Sequence, residues 1–265
     1  MEQPTKTSFV ASAGRQGIEL ATFVGALVRF TLVALRSAFR PGFPIRVVIA
    51  QVYEIGFKSL PLTAIAAFAI GLVLALQTMT LLNKFGVVHY IAVVVGLAIT
   101  KELGPVVTAL MVAGRAGSGI SAELGSMKVT RQIDALRVLA VDPRQYLVAT
   151  RIAACVIALP LLTAISDLLG VLGGLLIGTT VGGITVDTYI QTTIYYVVLA
   201  DLLTGLGKTL VFGLIIGATS AYYGFHTDGG TSGVGHSTTS AVVASSLMIF
   251  ISDVIMTQIL VALGY

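Results

Sequence analysis

The chain is 265 residues long, 56% of them hydrophobic and only 11% charged, with a mean hydropathy of +0.96. So apolar a composition excludes an ordinary soluble domain and marks an integral membrane protein. The net charge of +4 does not point to nucleic acid, because the basic residues cluster near the ends of apolar stretches, where they anchor a chain to anionic lipid.

The first residues lack the basic region, apolar core and small-residue cleavage site of a secretory signal, so the N-terminus is expected to stay on the mature chain, in the cytoplasm. The apolar stretch Gly17 to Phe39 is interrupted by Arg29 and Arg36. With Arg15, Glu19 and Arg40 these form one helical stripe opposite Leu20, Phe23, Val24, Leu27 and Phe30. That pattern predicts an amphipathic helix lying in the membrane interface. The break at Pro41-Gly42-Phe43-Pro44 ends it, and Ile45 to Ser59 predicts a second interfacial or elbow helix, closing an N-terminal region of residues 1–58.

Residues 59–265 hold five stretches long enough to span a bilayer: Leu60 to Leu82, Val87 to Ala113, Leu147 to Val181, Tyr189 to Tyr222 and Ala241 to Leu263. The third contains Pro160, an expected kink. The predicted fold is therefore an all-α integral membrane protein, with an N-terminal interfacial helix, five transmembrane helices and a hydrophilic island between the second and third spans. The island, Arg115 to Arg151, carries six basic residues. Together with the N-terminal 58 residues it holds thirteen of the sixteen Lys and Arg, which predicts that the island and N-terminus are cytoplasmic and the C-terminus periplasmic. Within the island, GSGIS offers a hinge and a Ser121 cap, and the spacing predicts one amphipathic helix over 121–139, stopped by Val141-Asp142-Pro143. Such a helix suits docking into a partner's groove. The glycine-rich run Gly224 to Thr239 is expected to be a flexible loop on the same side.

Ionisable residues inside spanning segments each cost ~2.5–3.5 kcal/mol at mid-helix on insertion scales, and so seek protein, a countercharge or water. Here they are Lys101, Glu102, Asp167, Asp201, Lys208 and Asp253. Adjacent Lys101 and Glu102 point about 100° apart and need different partners. Glu102, Lys208 and Asp253 are expected to converge in a polar cluster near the substrate path. No catalytic residue and no metal site is expected: the histidines lack ligand spacing, and Cys155 is a lone cysteine. GLGKT at Gly205–Thr209 ends like a phosphate-binding loop, but Leu202 stands where its first glycine belongs, so the chain is expected to have no ATPase of its own.

The stretch KELGPVVTALMVAGRAGSGISAELGSMKVTRQIDALRVLAVDP, Lys101 to Pro143, closely resembles the signature of the MlaE (YrbE) permease family. The resemblance implies a homodimeric permease of a phospholipid ABC transporter in the bacterial inner membrane. Its partners would be a cytoplasmic ATPase that consumes ATP, a STAS-domain subunit and a periplasmic MCE-domain hexamer, with no cofactor on this chain. The 121–139 helix resembles the family's coupling helix, which places Ser121, Glu123, Met127, Lys128, Arg131 and Asp134 toward the ATPase. Leu74, Thr78, Leu81 and Phe85, with Gln77 beside them, share a face of the first span that is expected to line the cavity at the dimer interface. Competing readings are a secondary transporter relaying protons through Glu102, Asp201 or Asp253, and a structural scaffold of an envelope complex.

Overall fold

The computed structural model describes the backbone of residues 9–264, and side chains from Ala21 onward together with Ile18; Arg15, Glu19 and Leu20 of the expected stripe lie outside the described side chains. Among the described residues every regular element is helical. Helix α1 (Phe9–Ala38) turns its Phe23, Leu27, Phe30, Ala34 and Ser37 face onto the bundle and leaves Arg29 and Arg36 exposed. This is the spacing of one helical face. Val24, expected on the apolar side, is exposed. By length and composition Ala21–Ala38 is also apolar enough to cross a membrane, making six such segments among the described residues with the five expected ones.

Gly42, at φ +88°, makes the sharp turn after α1. Helix α2 (Ile45–Gly56) then runs through one tight turn, Phe57–Ser59, into α3 (Leu60–Phe85), which Gly86 terminates in the left-handed conformation. The second span is far longer than expected. Helices α4 (Ile91–Ala98), α5 (Gly104–Val112) and α6 (Ser118–Val129) form one continuous 42-residue helical stretch from Val88, joined by π turns at Ile99–Leu103 and Ala113–Gly117. After α7 (Gln132–Val138), a third π turn, Arg144–Ala149, leads into α8 (Thr150–Thr180), which carries Pro160 in its interior.

The expected fourth span begins later than its apolar pattern suggests. Residues Val186–Tyr196 form a separate short helix, α9, and the span itself is α10 (Leu199–Phe225). The expected loop Gly224 to Thr239 is mostly helix as well, because α11 (Gly230–Ala262) starts only five residues after α10 ends.

Helix α8 is the centre of the bundle, packed against α2, α3, α5 and α10. Its approach to α3 is close enough to require glycine on both sides: a methyl group added at Gly71 would lie 1.9 Å from the carbonyl oxygen of Gly170. Small residues at such crossings are how helices gain contact in a solvent that offers no hydrophobic drive.

Candidate functional site

The π turn Ile99–Leu103 has a local cause. Pro105 brings no N–H for the carbonyl of Lys101 and crowds it, and a widened turn accommodates that loss. The turn directs its two neighbouring charges to different partners on one helix, α10. Lys101 Nζ lies 2.8 Å from Asp201 Oδ1, while Glu102 Oε2 lies 2.7 Å from Lys208 Nζ.

Asp201, Gly205 and Lys208 occupy one face of α10 at helical spacing. Gly205 presses on the π turn, since a methyl group there would sit 2.0 Å from the carbonyl oxygen of Thr100, and this contact sets a charged residue on either side. Asp201 also accepts the N–H of Val198 at 3.1 Å, fixing the start of α10.

Lys208 is 2% exposed, and its ammonium is surrounded by oxygen. Asp253 Oδ1 on α11 is 3.1 Å away, and the ammonium donates to Thr257 Oγ1 at 2.7 Å. The Thr257 hydroxyl in turn donates to Glu102 Oε1 at 2.9 Å, closing a ring through three helices. Glu102, Lys208 and Asp253 are thus brought together, and Lys101 with Asp201 forms a second pair beside them. Thr257 was missed in the sequence, although it stands four residues after Asp253 on the same face. Asp167 joins neither group. It is buried on α8 with its carboxyl against Gly104, where an added methyl would lie 1.7 Å from Oδ1.

The cluster is open on one side, for Glu102 keeps 38% exposure inside a spanning segment. Leu103, the residue after Glu102, lines a shallow apolar groove with Ala69, Ile70, Val73, Leu74 and Gln77 of α3. Leu74 and Gln77 come from the expected cavity face. Thr78 is partly exposed, and Leu81 and Phe85, 56% and 71% exposed, continue that face toward the end of α3.

At the opposite end of this 42-residue stretch the charged island is built differently from the expected single helix. The helix breaks at Thr130 and Arg131, the latter at φ +60°, and α7 follows as a separate seven-residue helix. Ser121 is no cap: α6 starts at Ser118 without a side-chain cap, and Ser121 is wholly buried, so it presents nothing to a partner. Met127 and Ile133 face inward, Lys128 is partly covered, and Glu123 is engaged by Arg151 at 2.8 Å. Arg131 and Asp134 are exposed, with Asp134 paired to Arg137 at 2.7 Å. Beyond them Val138 and Leu139 stand out at 87% and 72% exposure, two aliphatic side chains at the tip of an arginine-rich projection. Standing among charged residues, such a pair suits contact with a partner surface.

This projection shares its end of the bundle with the N-terminal charges. Arg40 reaches Asp142 at 3.3 Å, and Arg115 donates to the Glu54 carbonyl at 2.9 Å and to Ser59 Oγ at 3.1 Å.

Among known proteins, the chain matches the family described as permease MlaE over residues 48–259, a range that holds the groove, the charged cluster and the projection. It is 43% identical over 247 residues to a probable ABC transporter permease protein of Rickettsia typhi, covering 93% of this chain and 95% of that one. It is 31% identical over 262 residues to the intermembrane phospholipid transport system permease protein MlaE of Haemophilus influenzae, covering 97% and 99%. It is also 38% identical over 208 residues to the chloroplastic protein TRIGALACTOSYLDIACYLGLYCEROL 1 of Arabidopsis thaliana, covering 78% and 59%.

Proposed function

This chain belongs to the MlaE permease family and is the multi-pass membrane subunit of an ABC transporter, and from that premise we propose that it moves phospholipids between the bacterial inner membrane and periplasmic carriers, maintaining outer-membrane lipid asymmetry. A partner ATPase supplies the energy, docking on α6–α7 from the cytoplasm. The N-terminus lies in the cytoplasm and the C-terminus in the periplasm, as the clustering of Lys and Arg at one end favours. A second copy of the chain closes the α3 groove into a cavity, a STAS-domain subunit joins the ATPase, and an MCE-domain hexamer receives the lipid.

What supports a lipid cargo is the pairing of the apolar α3 groove with the open edge of the Glu102–Lys208–Asp253 cluster. Acyl chains need an apolar wall, and a headgroup needs polar atoms held at a fixed depth. In this arrangement Leu74, Gln77, Thr78, Leu81 and Phe85 face the chains. The charged ring holds the π turn before α5 to α10 and α11 and yields when they separate.

Mass spectrometry of lipid retained by the purified protein tests the cargo. Wild type is expected to carry glycerophospholipid. A Leu74→Glu change places a charge in the groove at a cost of ~2.5–3.5 kcal/mol if it sits near mid-bilayer, and is expected to lower retention by roughly tenfold or more. Absence of phospholipid from wild type, or equal retention by the variant, would overturn the assignment.

A further inference from the structure

We infer that Arg151 is a positioning residue, the clamp that carries movement of the α6–α7 projection into α8; this rests on reading that projection as the ATPase-docking element. The charge contacts at this end of the bundle are not equivalent. The Arg40–Asp142 pair leaves its side chains 68% and 34% exposed, Arg137–Asp134 leaves 57% and 52%, and Arg115 approaches the Glu54 carboxylate only to 4.0 Å. Pairs so open to water are screened and hold little. In the Arg151–Glu123 pair the carboxylate is 53% exposed, but the Arg151 side chain is only 3% exposed. A guanidinium withdrawn from water to that extent depends on the partners it keeps.

Those partners belong to separate parts of the machine. Arg151 sits in the first turn of α8. One of its terminal nitrogens, Nη2, lies 2.8 Å from Glu123 Oε1 on α6, and the other, Nη1, donates to the Leu147 carbonyl at 2.9 Å. Leu147 lies in the π turn Arg144–Ala149 that precedes α8. One planar fork therefore fastens α6, the π turn and the start of α8, a geometry for which arginine is suited.

The covalent route from the projection to α8 is softer. It passes through the exposed residues Leu139, Ala140 and Val141 before reaching the π turn. Glu123 stands about two turns before the break at Thr130 and Arg131, so a push on the projection reaches the Arg151 fork through the rigid body of α6. From there α8 leaves no slack toward the groove, because Gly170 abuts Gly71 of α3. Displacement at the docking end is thus delivered to the helix that lines the lipid path, a rigid-element linkage between distinct sites.

The test uses the complete assembly in liposomes and reads lipid transferred per ATP hydrolysed, with ATPase content measured alongside. Arg151→Met is expected to keep the ATPase bound and hydrolysing while transfer per ATP falls roughly tenfold, within the usual range of coupling energies. Arg151→Lys restores part of the loss. Glu123→Ala reproduces it, and Arg151→Met combined with Glu123→Ala is no worse than Arg151→Met alone, since both remove one link. Wild-type transfer per ATP in Glu123→Ala, additive losses in the double variant, or loss of the ATPase in Arg151→Met would each overturn the clamp. If Arg151→Met does not accumulate, Glu123→Ala decides alone. Failure of the proposed function is distinguishable, because it appears in the wild-type assembly as transfer that needs no ATP.

Discussion

Lys208→Ala is expected to cost the fold about 3–5 kcal/mol, the range for breaking a buried ion network from one side. The ammonium is 2% exposed and is the only cation in contact with both Glu102 and Asp253 among the described residues. Without it the carboxylates of Glu102, in the π turn before α5, and Asp253, on α11, lose the cation they share. Cys155 provides the measurement: it is the single thiol, it is buried, and a thiol-reactive dye labels it as the bundle opens on heating. Neutralising the carboxylates together with the lysine, as Lys208→Met with Glu102→Gln and Asp253→Asn, is expected to recover most of the loss, because no uncompensated charge remains. Lys101→Ala serves as contrast. Its pair with Asp201 is 36% and 12% exposed, so solvent takes up part of the change and the cost is expected to be about 1 kcal/mol. An unaltered melting midpoint for Lys208→Ala would show that the ring contributes nothing to holding the π turn before α5 to α10 and α11.

The second large effect is expected at the opposite end. Val138→Asp with Leu139→Asp should leave the permease folded, since both side chains stand almost free of the bundle. The same pair should remove the ATPase from the complex. Apolar anchors at the centre of an interface are commonly worth 2 kcal/mol or more, which is about thirtyfold in affinity. The readout is ATPase stoichiometry after co-purification. Full ATPase content in the double variant would move the docking surface away from α7, whereas a normal content with Arg131→Glu alone would only assign the anchoring to the aliphatic tip.

The spans were legible because roughly 20 apolar residues in a row have few fates other than crossing a bilayer. Their ends were not. Charges ordinarily leave the membrane, which in the sequence sets the island apart as a separate helix, yet α6 continues α5 through a π turn. The charges nearest the spans are answered within the bundle, Arg115 by the Glu54 carbonyl and Ser59 and Glu123 by Arg151, while Arg131 and Asp134 beyond them stay exposed. The glycine-rich run after Gly224 looked like a loop for a comparable reason. Its hydroxyls bond back to the preceding turn, as Thr238 does to Val234 at 2.7 Å and Thr239 to Gly235 at 3.2 Å, and α11 packs on α6 and α10. Tertiary contact overrides weak helix propensity in such a run.

The charged site was half legible. The cost of burying Lys208 demands partners, and the spacing of Asp201 and Lys208 puts them on one face, so convergence with Glu102 and Asp253 follows from energetics. The division of Lys101 and Glu102 between Asp201 and Lys208 depends on the π turn before Pro105 and on the seat of Gly205 against Thr100. Neither appears in a pattern of residue types. The role of Arg151 was hidden for another reason: in the sequence it is one more basic residue of the charged island, and its 3% exposure sets it apart from the others.

The most direct test of the account is transfer of a labelled glycerophospholipid out of proteoliposomes by the complete assembly, with and without ATP and with and without a proton gradient. Transfer is expected to require ATP, to be indifferent to the gradient, and to disappear together with bound ATPase in Val138→Asp with Leu139→Asp. Transfer that proceeds without ATP and follows the gradient would contradict it, and would make the chain an ion-driven carrier in which Glu102, Asp201 or Asp253 handles the proton.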